Sequence, residues 1–227
     1  MLLRVLEPEV MDSPEEAAEY DAMDFSEPNE RFALDALRLI EGVPEPVAID
    51  LGTGTAQIPV RMLEQRADLR VVAADLAEHM LALAATRVAA RGLGARCELA
   101  RLDAKSVDRP AASFDLVMSN STLHHLADPV ALLREAARLV KPGGAIIVRD
   151  LLRPTSEEDA WSIVEQAAPN DSARQKRLFF DSLRAALTLD ELRIAAEEAG
   201  LSGLEIARIS SRHFTLERPS QSGGRRG

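Results

Sequence analysis

The residues best suited to chemistry stand close together in the stretch Asp50-Leu51-Gly52-Thr53-Gly54-Thr55-Ala56. Glycines at 52 and 54 allow a sharp turn and let a ligand lie against the main chain. A dinucleotide loop places a third glycine three residues after the second, and here that position holds Gln57. The carboxylate of Asp50, just before the first glycine, would repel a pyrophosphate but attract an ammonium. The loop therefore suits a cofactor that ends in an amino acid better than a dinucleotide. Asp75 follows 21 residues after Gly54, where an acidic side chain accepts the two hydroxyls of an adenosine ribose. Leu76 and Met80 supply an apolar bed for adenine. Asp103, with Ala104 beside it, is placed to accept a hydrogen from the adenine amino group. His124 and His125 form an adjacent pair of a residue type that titrates near neutrality, and either could deprotonate a hydroxyl, thiol or amine. The plainer expectation is that one packs under its loop and the other faces solvent. Adjacent histidines diverge on a helix and no carboxylate completes a ligand set, so no metal site is expected.

These residues need a scaffold, and the pattern of 47–150 describes one. Short apolar runs at Val47–Leu51, 69–75, 97–102, Phe114–Asn120 and 145–148 read as strands. Helical stretches begin at Ala56, at Ala77 (ending at Gly92) and after Asp128, which is an N-cap followed by Pro129. The last of these carries an expected apolar stripe of Val130, Leu133, Ala137 and Val140, and Lys141-Pro142-Gly143-Gly144 reads as a turn. Alternating strands and helices imply parallel pairing with right-handed crossovers. The fold class is α/β, a doubly wound, Rossmann-like, mostly parallel sheet whose ligands bind beyond the carboxyl ends of the strands.

The flanks differ. Residues 1–46 are acidic and proline-punctuated, with one amphipathic helix marked by Phe32, Leu34, Leu37 and Ile40. Residues 151–187 read as a helical insertion. Thr155-x-x-Glu158 and Thr188-x-x-Glu191 look like capping boxes. Alternation over 204–209 and 213–217 predicts an antiparallel hairpin. Residues 219–227 read as a disordered tail, with Arg225 and Arg226 as solvated charges.

Composition narrows the partners. A chain of 227 residues with 46% hydrophobic content can bury a full core. A net charge of −10 makes nucleic acid an unlikely main partner. A single cysteine, Cys97, excludes an internal disulfide framework and reads as a core residue in a reduced, cytoplasmic setting. No apolar run approaches a membrane span, and the acidic stretch 1–20 lacks a signal pattern.

The elements VAIDLGTGTA (47–56), VVAADLAEHML (71–81), LDA (102–104), FDLVMSNSTLHHLADP (114–129) and LLREAARLVKPGGAIIV (132–148) resemble, in order, those of the class I S-adenosylmethionine-dependent methyltransferases. The small-molecule branch that includes quinone- and biotin-pathway enzymes is the nearest in appearance. Ala56 departs from the pattern, which often has a third glycine there. The resemblance implies S-adenosyl-L-methionine as cofactor and a seven-stranded sheet whose last strand runs antiparallel between strands five and six, under an N-terminal lid (1–46) on the domain 47–218. It implies Asp50 near the methionine ammonium, Gly52 and Gly54 under the methionine moiety, Asp75 on the ribose, Asp103 on the adenine, and Asn120 facing the transferable methyl.

The expected reaction is methyl transfer to an N, O, S or C atom of a small-molecule acceptor. The alternatives are a tRNA or protein methyltransferase and a catalytically inactive, cofactor-binding regulatory protein. Asn120-Ser121-Thr122-Leu123 stands where an Asn-Pro-Pro-Tyr type signature would mark methylation of planar amino groups. Tyr20 lies in the lid segment, where it either touches the ligands or packs as a surface aromatic. Arg149, Asp150 and Arg153 follow the fifth strand; salt bridging is the simpler role for them, and holding an anionic acceptor the other. Trp161 reads as core packing or as a pocket wall.

Overall fold

Strands that must be covered on both faces need apolar residues at every position, and the central runs have them. The computed structural model describes residues 2–7 and 12–221. Among these, α1 (Pro14–Asp21) and α2 (Ser26–Leu39) precede β1 (Val47–Leu51). Then follow α3 (Gln57–Gln65), β2 (Arg70–Asp75), α4 (Glu78–Ala90), β3 (Cys97–Arg101), β4 (Phe114–Asn120), α5 (Pro129–Leu139) and β5 (Val140–Leu151). The chain ends in α6 (Glu157–Ala167), α7 (Ala173–Ala185), α8 (Leu189–Glu198), β6 (Glu205–Arg208) and β7 (His213–Arg218).

The described strands form one seven-stranded sheet in the order β3-β2-β1-β4-β5-β7-β6. β1 to β5 pair in parallel, and β7 is antiparallel to both β5 and β6, as the resemblance implies. Alternation within each strand divides the core. Ala48, Val71, Ala73, Leu116, Met118 and Ile147 face α2, α3 and α4. Ile49, Leu51, Val72, Val117, Ile146 and Val148 face α5 and α8. Each large side chain so covered contributes roughly 1.5–3 kcal/mol. The carboxyl ends of β1, β2 and β4 thus meet at one edge, where strand order reverses about β1.

Several local readings shift. The helix expected from Ala56 starts at Gln57, because Ala56 is its N-cap, in left-handed backbone at φ 56°. That φ explains why glycine suits this position. In α2, Phe32 and Ile40 are buried, but Leu34 is 51% exposed. The buried line runs instead through Asn29, Phe32, Ala33, Ala36 and Leu39. α5 buries Leu133 of the expected stripe together with Leu132, Ala136 and Leu139, while Val130 and Ala137 are only partly buried and Val140, also buried, opens β5. Asp128 does cap it, accepting from Val130 N–H at 3.0 Å. The 141–144 turn lies within β5, where the register against β4 shifts between Phe114 and Leu116.

The cap of α6 is Ser156, one residue past Thr155, whose hydroxyl bonds Asp159 at 2.5 Å instead. The Thr188–Glu191 box forms as expected, and a further one, Ser172–Gln175, opens α7. α1 was not legible as a helix; its Ala17 packs on Ala77 and Met80. The start of the stretch expected to be disordered is docked, with Ser220 N–H donating to Leu39 carbonyl at 2.8 Å. Arg225 and Arg226 lie outside the described residues. No helix among the described residues is long and apolar enough to cross a membrane.

Candidate active site

The turn leaving β1 is held from beneath. Gly52 and Thr53 N–H groups both donate to Ala74 carbonyl at 2.9 Å. Gly52 and Gly54 sit at φ 79° and 56°, where L side chains are strained. A Cβ on Gly52 would also collide with the Thr122 side chain, coming within 2.6 Å of its Cγ2. The glycine is therefore required twice over, by conformation and by space.

Asp75 closes the turn from the neighbouring strand. One carboxylate oxygen accepts Gly54 N–H at 2.7 Å and the other accepts Ala77 N–H at 2.9 Å. An ionised carboxylate has about four acceptor sites, so both oxygens keep capacity for ribose hydroxyls. Burial pushes its pKa up despite the two N–H donors. Asp50 is buried more deeply, at 2% exposure. Burial drives its carboxyl up to about 7, Thr53 hydroxyl works the other way, and the charge of Asp75 adds to the rise. A buried carboxylate held so far from its usual range is a natural seat for a cationic ligand group.

A cavity opens over this turn in two adjoining lobes that share Tyr20, Gly52 and Asn120. The larger lobe is lined by Gly54, Asp75, Leu76, Met80, Asp103 and Ala104, the group expected to hold an adenosine. The smaller is lined by Asp50 and Thr53, the end expected to hold an ammonium. Every predicted cofactor residue therefore reaches one lobe or the other. Asp103 accepts Lys105 N–H at 2.9 Å and pairs with its ammonium at 3.1 Å, which fixes the loop after β3. Asn120 donates to Ser121 hydroxyl at 3.3 Å at the end of β4. Sequence reasoning missed Lys105, Ser121, Thr122 and Leu126 in the larger lobe and Asn29 and Gln57 in the smaller. Ser121, at φ 56°, marks a strained bend that no sequence pattern announces.

Tyr20 belongs to α1 and reaches over the turn, its Cε1 3.6 Å from where a Gly54 Cβ would lie. Burial, then the charges of Asp75, Asp50 and Asp21, push its phenol up to about 12, so it stays neutral. α1 is fastened to the domain by Asp21 and Arg87 at 2.6 Å; Arg87 also donates to Thr55 carbonyl. Tyr20 lines both lobes of the cavity and packs against Phe25, with ring centroids 5.3 Å apart.

His124 and His125 form a single 3₁₀ turn, Leu123–His125. They do not diverge: their ring centroids are 4.0 Å apart. His125 lines the larger lobe, whereas His124 is buried behind it. Asp150 anchors the turn, accepting His124 Nδ1–H and Leu123 N–H, each at 2.6 Å. Burial alone would lower His124 and raise Asp150; their mutual attraction outweighs it, so His124 titrates above and Asp150 below the ordinary value.

A carboxylate also stands beside the pair, contrary to expectation. Glu7 Oε2 lies 3.5 Å from His125 Nδ1 and 4.0 Å from His124 Nε2. It comes from the far end of the sequence, in an extended segment whose Leu2 and Val5 N–H groups donate to Thr155 and Arg184 carbonyls. Arg4 staples that segment to Ala185 and Leu126 carbonyls at 2.7 and 2.8 Å.

The remaining candidates are structural. Arg149 pairs with Asp35 at 2.6 Å and Arg153 with Glu191 at 2.5 Å, so neither is offered to an acceptor. Trp161 stacks on Phe180 with centroids 4.4 Å apart and stays 36% exposed, packing on α7 rather than lining the cavity. Cys97 is buried, and burial raises its thiol to about 11, which makes it inert.

Residues 49–148 match the family described as a methyltransferase domain. The chain is 25% identical over 199 residues to a ubiquinone/menaquinone biosynthesis C-methyltransferase of Enterobacter sp. (strain 638), covering 83% of this chain and 78% of that enzyme. It is 29% identical over 153 residues to the 27-O-demethylrifamycin SV methyltransferase of Amycolatopsis mediterranei, spanning 67% of this chain and about half, 53%, of that enzyme. Its fold matches that of a SAM-dependent methyltransferase from Aquifex aeolicus with a TM-score of 0.66 at 18% identity, over 91% and 98% of the two chains. A cavity whose glycine turn, paired aspartates and strand-order reversal suit an adenosine with an amino-acid tail, with a methyltransferase domain matched over residues 49–148, makes the chain similar to the class I S-adenosylmethionine-dependent methyltransferases.

Proposed function

We propose that the chain methylates a small-molecule acceptor. The observation that carries this is the two-lobed cavity, with Asp75 in one lobe, Asp50 in the other and the Gly52–Gly54 turn between them. The residues fit the cofactor: the left-handed backbone at Gly52 and Gly54 shapes the turn that lines the cavity, and Asp50 is a buried carboxylate suited to a positive group. Asp75 holds the ribose, Leu76 and Met80 the adenine face, Asp103 the adenine edge, and Asp50 the ammonium. The bound cofactor supplies an already activated methyl on a sulfonium.

The chain's own contribution is alignment and exclusion of water, worth several kcal/mol by orientation alone. Tyr20 covers the turn, and Asn120 stands where the lobes join, at the end from which a methyl would leave. When the acceptor is a hydroxyl, thiol or amine, its proton leaves at the cavity wall lined by His125, in a turn that Asp150 fixes through His124. The small-molecule class is supported by the likeness to a ubiquinone/menaquinone biosynthesis C-methyltransferase and a demethylrifamycin methyltransferase and by the acidic net charge of −10. Transfer of a tritiated methyl group to a metabolite extract, a tRNA pool and a protein lysate tests the reading. Label in the metabolite fraction is expected. Label confined to tRNA or protein overturns it, and tight cofactor binding with no label in any fraction supports a regulatory binder instead.

A further inference from the structure

Three nitrogen and oxygen donors converge at the wall of the cavity, from Glu7, His124 and His125, all within 4.8 Å of one another. Glu7 Oε2 is 3.5 and 4.0 Å from the two ring nitrogens. These separations exceed a good N–H···O bond, which spans about 2.7–3.2 Å. They lie close to the ligand-to-ligand edge of a tetrahedral zinc site, about 3.3 Å for metal–ligand bonds of 2.0–2.1 Å. We propose that Glu7, His124 and His125 form a binding site for a divalent cation of the zinc class, opening on the cavity through His125.

The supporting groups are those a metal site requires behind its ligands. Asp150, 1% exposed, accepts His124 Nδ1–H at 2.6 Å, which fixes the tautomer and turns Nε2 toward Glu7. A carboxylate behind the ring in this way raises the basicity of the ligating nitrogen. Glu7 is oriented in turn by the Ser182 hydroxyl, which donates at 3.0 Å. Two carboxylates, Glu7 and Asp150, thus face two imidazoles. The nearby cation Arg4 is committed to the backbone carbonyls of Ala185 and Leu126. Two imidazoles and one carboxylate form a donor set that suits zinc and neighbouring transition metals rather than magnesium or calcium.

His125 belongs both to this cluster and to the cavity wall. For an acceptor seated beside Asn120, which lines the same lobe, a cation here would lower the pKa of a hydroxyl or thiol so that the proton departs to water. This assigns oxygen- and sulfur-bearing acceptors as the favoured class. It rests on the methyl-transfer reading and makes the histidines holders of the cation that eases the proton's loss.

The test uses the full chain stripped with a chelator and titrated with Zn²⁺ or Co²⁺ alone, with S-adenosylhomocysteine titrated into the same samples. One cation per chain is expected, with the intense visible absorption of low-coordinate Co²⁺. Glu7→Gln and, independently, His125→Gln are expected to weaken cation affinity at least tenfold, and in Glu7→Gln, which stands outside both lobes, S-adenosylhomocysteine affinity stays within twofold. Absence of saturable cation binding in a chain that still binds S-adenosylhomocysteine overturns the cation site and leaves methyl transfer standing. Unchanged cation affinity in both variants also overturns it, since the ion then sits elsewhere. A chain that binds the cation through these residues but not S-adenosylhomocysteine keeps the site and removes the methyl-transfer reading.

Discussion

Asp50 makes cofactor binding dependent on pH near neutrality, and the size of the effect can be worked out. Its carboxyl titrates at about 7 because burial disfavours the charge. An ammonium seated beside it requires the ionised form, so protons and cofactor compete. The ionised fraction of the free protein is about one half at pH 7 and about one tenth at pH 6. Affinity should therefore fall about fivefold over that unit, and binding at pH 7 should release about half a proton. Calorimetric titration with S-adenosylhomocysteine at both pH values, in buffers of different ionisation enthalpy, measures both quantities. Asp50→Asn should abolish the slope.

Stability runs the other way. The folded pKa is raised above the unfolded value, so folding binds a proton more tightly, and the stability linked to Asp50 declines as pH rises from about 4 through 7. Asp50→Asn should accordingly stabilise the ligand-free protein at pH 8 by about 1–4 kcal/mol, while weakening binding. A flat affinity profile with no proton release, or a ligand-free Asp50→Asn that melts lower at pH 8, would refute the reasoning.

Three further outcomes follow from the geometry. Gly52→Ala combines a positive φ with a collision against Thr122, and should lower stability by about 2–4 kcal/mol and abolish cofactor binding; thermal melting and calorimetry check both. Asp150→Asn weakens a buried carboxylate that holds His124 and the Leu123 N–H, and should cost about 3–5 kcal/mol in denaturant unfolding. Arg87→Ala frees Asp21 at the end of α1 from α4 and releases the Thr55 carbonyl, and should raise the dissociation rate of S-adenosylhomocysteine several-fold in stopped-flow measurements with little change in melting temperature.

The cofactor half of the site was legible in the sequence because it is local. Asp50, Gly52 and Gly54 share one turn, and Asp75 and Asp103 sit at the ends of the next two strands, so strand order alone brings them together. The sheet was legible for the same reason, since doubly covered strands announce themselves as unbroken apolar runs. The cluster on the cavity wall was not. Glu7 reaches His124 and His125 through an extended segment without periodicity, held by backbone carbonyls of Thr155 and Arg184 that no residue pattern encodes. The bend at Ser121 and the 3₁₀ turn after it set the two imidazoles 4.0 Å apart, where helical spacing would have splayed them. α1 is too short and polar to show an apolar stripe, and only its contact with Met80 and Ala77 reveals its place over the cavity.

The claim beneath all of this is that the turn after β1 and the carboxylate ending β2 hold the cofactor. Titration of S-adenosylhomocysteine into the wild-type chain and into Asp75→Ala tests it most directly, with thermal melting to confirm that the variant folds. One site per chain is predicted, with affinity at least tenfold weaker in the variant because the ribose loses charge-assisted hydrogen bonds. An unchanged dissociation constant in a folded Asp75→Ala, or a wild-type chain that takes a nicotinamide dinucleotide in preference to the sulfonium nucleoside, would contradict the account.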